Sequence, residues 1–81
     1  PTKVVIDFSE EVEFMDMGNI STDTEAEIEG IELSEDDMSL TIYFSPLSPF
    51  PSSGGKITIK NLTDLSGNKA DIVIDVPSEL L

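Results

Sequence analysis

Several side-chain types are missing from the 81-residue sequence, which has no cysteine, no histidine and no tryptophan. Without cysteine the chain has no disulfide bonds, no thiolate zinc ligands and no thiol nucleophile. Without histidine it lacks the most common general base and metal ligand. Stability must therefore come from side-chain packing and backbone hydrogen bonds alone.

Basic residues are scarce, because four Lys and Arg residues stand against 17 Asp and Glu residues and leave a net charge of −13. Thirteen of the acids lie within residues 7–37, a segment without Lys or Arg. Such a surface repels nucleic acids and anionic membranes, so we expect neither as a partner. The charge is typical of a solvated face that keeps a module soluble, and cation binding is the alternative.

Long apolar runs are also absent. No stretch of about 18 apolar residues occurs, so the sequence predicts no membrane insertion. The chain shows no signal-peptide pattern and does not begin with methionine. Its length suffices for one domain. We expect residues 1–81 to form a single module excised from a larger multidomain protein, monomeric when isolated.

Alternating apolar residues predict strands in the segments KVVIDF (3–8), MSLTIYF (38–44), KITIK (56–60) and ADIVIDV (70–76). In EAEIEGIEL (25–33) the alternation shifts at Gly30, which predicts a bulge or bend between two short strands. Turn residues recur about every ten positions. With no long helical pattern, the sequence predicts a small all-β sandwich or barrel.

The connections have distinct signals. SEDD (34–37) predicts a turn held by its own side chains. The proline- and glycine-rich loop SPLSPFPSSGG (45–55) cannot be a central strand, and we expect Leu47 and Phe50 to fold back over the core. The segment after the first strand predicts one turn of helix or an irregular crossover that ends at Gly18-Asn19. Its apolar residues are Val12, Phe14, Met15 and Met17.

The stretch LTDLSGNKA (62–70) predicts a structured hairpin connection. Gly67 and Asn68 tolerate a positive φ, and the Asp64 carboxylate can accept hydrogen bonds from backbone N–H groups two or three residues later. Two apolar residues of this stretch are expected to close the end of the core: Leu62 and Leu65.

Two motifs, VVIDFSEEV (4–12) and TDLSGNKA (63–70), resemble bacterial Ig-like domains of the Big group, in the subtype found in S-layer and other surface proteins. The matching positions are Phe8, Ser9, Glu10 and Val12; Leu40, Thr41, Phe44 and Pro46; and Asp64, Gly67 and Asn68. The family's usual first strand is missing here or reduced to the first residues. The resemblance implies an Ig-like β-sandwich of five to seven short, mainly antiparallel strands, without catalysis of its own.

Three sets of oxygen-bearing side chains are candidates for calcium, which takes six to eight oxygen ligands. They are Glu35, Asp36 and Asp37; Asp64, Ser66 and Asn68; and Glu25, Glu27 and Glu29. The last set is spaced by roughly 6–7 Å along a strand, too open for a cage. The second has its glycine at the fourth position, not at the sixth as in an EF-hand loop. We therefore predict loose screening by divalent cations, with no specific metal site and no cofactor.

Catalysis by a carboxylate pair needs a buried acid that faces a second one in a cleft. Nearly all acids of this sequence fall on outward strand positions or in turns, so we predict no catalytic residues and no enzyme. Val5 and Val73 are apolar at outward positions. They are either lone surface residues or marks of a contact with a neighbouring module or an added strand.

Together these features favour a non-catalytic structural or adhesive module that spaces or presents neighbouring domains of a bacterial surface or secreted protein, outside the cell or at its surface. Its partners would be those domains, with a surface protein or glycan as a further partner. The alternatives are a module that binds protein or carbohydrate through its end loops, and an accessory domain of a secreted enzyme. With one tyrosine and no tryptophan, the sequence has few aromatic rings on which a sugar could stack.

Overall fold

The computed structural model describes residues 2–13 and 15–76 and the backbone of Pro77. This part of the chain forms strands joined by turns, with a single 3₁₀ turn at Met17–Asn19. The strands are β1 (Lys3–Asp7), β2 (Ile20–Thr22), β3 (Ile28–Leu33), β4 (Ser39–Phe44), β5 (Gly54–Thr63) and β6 (Lys69–Pro77).

The strands form two antiparallel sheets of three strands, ordered β1-β4-β3 and β2-β5-β6. Each sheet contains one hairpin, β3–β4 or β5–β6, and one strand from earlier in the chain. The prediction of an all-β sandwich is thereby confirmed, and the barrel alternative is not adopted.

The core lies between the two sheets and follows the alternation of the sequence, because successive side chains of a strand point to opposite faces. In β1 the even-numbered residues are buried and the odd-numbered ones exposed. Fully buried side chains come from both sheets and from the proline-rich loop: Leu40, Ile42, Phe44, Phe50, Ile57 and Ile59.

Two bulges interrupt the ladders. The register of β3 against β4 shifts between Ile28 and Gly30, as the change of alternation predicts. A second shift lies in β5 between Ile59 and Leu62, where Asn61 adopts a φ of 56°. This bulge was not predicted. A positive φ was considered possible at Asn68, but it occurs at Asn61 instead.

The proline-rich loop contributes one of its two predicted apolar contacts. Phe50 is fully buried, and its ring centroid lies 5.3 Å from that of Phe44. Leu47 is 94% exposed, so the prediction that it folds over the core is wrong. Leu65 is likewise 59% exposed, whereas Leu62 packs against the core as predicted.

The crossover between β1 and β2 is mostly irregular. Val12 and Met15 are buried, and the helical turn ends at Asn19, as the Gly18-Asn19 signal predicts. The turn leads directly into β2, a strand that the sequence pattern did not predict. The predicted contribution of Phe14 lies outside the described residues.

Candidate functional site

Two acidic turns, residues 34–37 between β3 and β4 and residues 64–68 between β5 and β6, lie at one end of the sandwich. The crossover that follows β1 lies between them. The N–H of Val12 donates to the carbonyl of Asp37 at 2.9 Å, and Val12 forms an antiparallel bridge with Asp64. The next N–H, that of Glu13, donates to Thr63 O at 2.8 Å. The fold therefore brings two of the three calcium candidates to the same end.

The turn between β3 and β4 is held by its own side chains, as SEDD predicts. The Asp36 carboxylate accepts hydrogen bonds from Ser34 Oγ at 2.5 Å and from the N–H of Met38 at 3.1 Å. Asp37 takes a left-handed φ of 58°. The bond from Ser34, followed by the bond from Met38, lowers the pKa of Asp36 below its ordinary value.

The turn between β5 and β6 is built around Asp64. Its Oδ1 accepts the N–H groups of Ser66 and Asn68, both at 2.9 Å, and its Oδ2 accepts Asn68 Nδ2 at 3.0 Å. Gly67, with a φ of 87°, donates its N–H to Asp64 O at 3.1 Å. These bonds confirm the predicted role of Asp64, and the bond from the Asn68 side chain is the main cause of its lowered pKa.

A groove of about 270 Å³ lies beside this turn and is mixed in character. Phe8, Val12 and Leu62 form apolar walls, while Asp64 and Asn68 form part of the polar wall. Because these two polar side chains already bond to each other, they offer little to a polar ligand. Ser9, Glu10 and Lys69 also line the groove, so other polar groups remain available there.

The third candidate, the row of glutamates, is divided by the structure. Glu25 and Glu27 precede β3, Glu29 lies at its bulge, and all three are exposed. Among residues 2–13 and 15–76, no group of three or more Asp, Glu, His or Cys side chains is placed to hold a metal ion. The predicted loose screening by cations stays a prediction.

Two further carboxylates accept hydrogen bonds from the backbone of β5, and neither was predicted to do so. Asp23 Oδ1 accepts the N–H of Lys56 at 2.8 Å, and Asp71 Oδ1 accepts the N–H of Asn61 at 2.9 Å in the β5 bulge. No local signal marks either residue, because Lys56 lies 33 residues from Asp23 and Asn61 lies 10 residues from Asp71.

Comparison with known proteins finds no relative. No protein-family model, no curated protein and no solved structure matches this chain. The resemblance to bacterial Ig-like domains therefore stays a prediction. No helix in the described part of the chain is long and apolar enough to cross a membrane.

The open side of the sandwich is a second candidate surface. A groove of about 560 Å³ runs between β1 and β6, which lie in different sheets. Val5, at the centre of β1, is 53% exposed, and Val73, in β6, is 62% exposed. Both therefore point outward as predicted.

Replacing Asp64 by asparagine should destabilise the chain at pH 7 and much less at pH 2. The pKa of Asp64 is lowered from its ordinary value of 3.8, so its contribution is fully present above that value. The contribution is lost as the pH falls through the lower pKa of the folded chain. Melting temperatures of both proteins at pH 7, 4 and 2 test this.

The matched control is Glu27→Gln, which removes the same charge from an exposed position. It should leave the melting temperature at pH 7 unchanged or slightly higher, because the net charge of −13 is reduced. A difference between wild type and Asp64→Asn that is the same at all three pH values would contradict the role of the carboxylate.

Proposed function

We propose that this chain is a non-catalytic structural or adhesive module that spaces or presents neighbouring domains of a bacterial surface or secreted protein. The observation that carries this proposal is that several carboxylates hold the chain's own backbone in place. Asp36 and Asp64 accept hydrogen bonds from the backbone of their own turns, Asp71 accepts one from the β5 bulge, and Asp23 accepts one from Lys56 in β5. Such bonds fix the connections and give the module rigid ends.

The shape of the chain supports the same function. The described part is elongated, with extents of 37 × 21 × 19 Å, and one core cluster takes residues from both sheets. A rigid, elongated frame holds whatever is attached to it at a fixed distance. The resemblance of the two motifs to bacterial Ig-like domains supports the surface or secreted location.

A second candidate function is protein binding through an end loop, and the exposure of Leu47 favours it. This side chain is 94% exposed on the proline-rich loop, beside a groove of about 380 Å³ that Ala26 and Pro49 also line. A rigid loop that presents an apolar side chain loses little conformational entropy on binding. An accessory domain of a secreted enzyme would have the same features.

Thermal unfolding of the 81-residue chain tests the structural function. We expect the chain to fold in EDTA, and calcium and magnesium at equal ionic strength to shift the melting temperature equally, by charge screening. A calcium-specific rise of several degrees would indicate a bound ion that stabilises the folded state. The acidic turns would then be a metal site, contrary to the proposal.

A further inference from the structure

The outer edge of β6 has free backbone groups that can be assigned from the hydrogen bonds of β5. On the β2 side of β5, Lys56 O accepts the N–H of Asp23 at 3.2 Å, and Lys56 N donates to Asp23 Oδ1. Successive residues of a strand direct their backbone groups to opposite sides. Ile57 and Ile59 therefore bond to β6, through their partners Ile74 and Ile72.

It follows that Asp71, Val73 and Asp75 direct their N–H and C=O groups away from β5. Within the described residues β6 pairs with β5 alone, so these groups face the open side of the sandwich. The same three side chains are exposed, since even-numbered residues of β6 face the core. The edge thus presents an apolar residue between two carboxylates.

The pairing of β6 with β5 shows which kind of strand suits this pattern of side chains. On the inner side of β6, Lys56 lies opposite Asp75, with Nζ 3.7 Å from Oδ1, and Thr58 lies opposite Val73. Cross-strand pairs of opposite charge and of β-branched residues stabilise a sheet. A second strand on the outer side would gain the same pairs if it carried cations beside the two aspartates and an apolar residue beside Val73.

The groove between β1 and β6 gives such a strand room. Val4, Ile6, Ile74 and Val76 line it and supply an apolar floor. Alternate side chains of an added strand would point to this floor, while the others would lie beside Asp71, Val73 and Asp75.

A second copy of this chain fits the edge badly. Antiparallel pairing of two β6 edges about Val73 would place Asp71 of one copy beside Asp75 of the other, and like charges opposite each other are destabilising. The net charge of −13 adds repulsion between copies.

We propose that the outer edge of β6 binds, by strand addition, an extended segment of another protein in which two basic residues four positions apart flank apolar ones. Main-chain hydrogen bonds to residues 71, 73 and 75 provide the pairing. Asp71 Oδ1 already accepts the Asn61 N–H and Asp75 Oδ1 lies 3.7 Å from Lys56 Nζ, so the second oxygen of each carboxylate selects the basic segment. Strand addition does not require the proposed structural function, and the EDTA and calcium melting experiment tests that function separately.

Amide hydrogen exchange with a synthetic peptide tests this binding. The probe is Lys-Ile-Val-Ile-Lys with Gly-Ser flanks, and the control peptide has Glu in place of both Lys. In the free chain, the amides of residues 72 and 74 should exchange more slowly than those of 71, 73 and 75. The basic peptide should slow exchange at 71, 73 and 75, and the acidic peptide should bind at least tenfold more weakly.

Two proline variants identify the edge. Val73→Pro removes an N–H that faces outward, so the β5–β6 ladder is kept while peptide affinity falls at least tenfold. Val5→Pro is the matched change on β1, whose ladder to β4 runs through even-numbered residues such as Thr2. Because Val5 lines the groove but offers no hydrogen bond to a strand added to β6, this change should lower the affinity less than Val73→Pro does. Asp75→Ser, which alters no backbone group, should also weaken binding of the basic peptide.

Several results would overturn the proposal. Slowed exchange at residues 3, 5 and 7 would place the binding edge on β1. Binding of the basic peptide without slowed exchange would mean charge attraction alone. Slowed exchange that grows with chain concentration in the absence of peptide would mean self-association, and no binding at millimolar peptide would exclude the site.

Discussion

Phe50→Ala should lower the free energy of unfolding by about 3–5 kcal/mol, because truncation of a buried aromatic side chain loses its transfer free energy and leaves a cavity. Phe50 is fully buried against Phe44 of β4, and its ring lies close to Gly55 of β5, so it packs the proline-rich loop against both sheets. Small domains have total stabilities of only about 5–15 kcal/mol. We therefore expect a large loss of stability in urea unfolding at 25 °C, with part of the population unfolded in water.

Leu47→Ala is the matched control, in the same loop and with an apolar side chain that is 94% exposed. Its free energy of unfolding should stay within about 0.5 kcal/mol of the wild type. Equal losses in the two variants would mean that the loop does not place Phe50 in the core as described.

Gly55→Val should lower the free energy of unfolding by about 1–3 kcal/mol, which is the usual range when a packed core receives extra atoms. A Cβ atom at Gly55 would lie 2.5 Å from Thr24 Cγ2 and 3.1 Å from Phe50 Cζ. Thr24 cannot turn aside freely, because its hydroxyl bonds to Thr22 Oγ1 at 3.0 Å and to the N–H of Ala26 at 3.1 Å. The same urea unfolding experiment measures the cost.

Gly30→Val provides the comparison, since Gly30 also lies in a strand but no atom comes within 4 Å of an added Cβ. Its effect should be within about 0.5 kcal/mol. If Gly30→Val destabilised the chain as much as Gly55→Val, the loss would reflect strand glycines in general and not the contact with Thr24 and Phe50.

Strands with strict alternation could be predicted from the sequence, because burial of one face imposes a period of two. This applies to β1, β4 and the central part of β5, and the shift at Gly30 could be predicted for the same reason. β2 could not, since the three residues Ile20–Thr22 are too few to show a period. Its place is set by pairing with β5, a contact distant in sequence.

Apolar residues in loops were harder to assign. Nothing local distinguishes Leu47 from Phe50, both next to proline, yet one is exposed and the other buried. The difference arises because Phe44 and Gly55 leave a space that fits one ring. Such a choice depends on packing between elements, which alternation along a single strand does not report.

The candidate sites divide in the same way. The roles of Asp36 and Asp64 follow from turn chemistry within five residues and could be predicted. The role of Asp71 depends on a bulge in another strand, and the free edge of β6 depends on the order of strands in the sheet. Neither has a local signature.

The interleaving of the two sheets along the chain has a consequence for folding kinetics. The hairpins β3–β4 and β5–β6 are local, but β1 meets β4 and β2 meets β5 across about 40 residues, as in the pairs Lys3↔Tyr43 and Ile20↔Ile59. Loops of that length cost entropy before any contact compensates for it. Topologies dominated by distant pairings fold in milliseconds to seconds. We therefore expect the slow step to be the docking of the first two strands onto hairpins that have already formed.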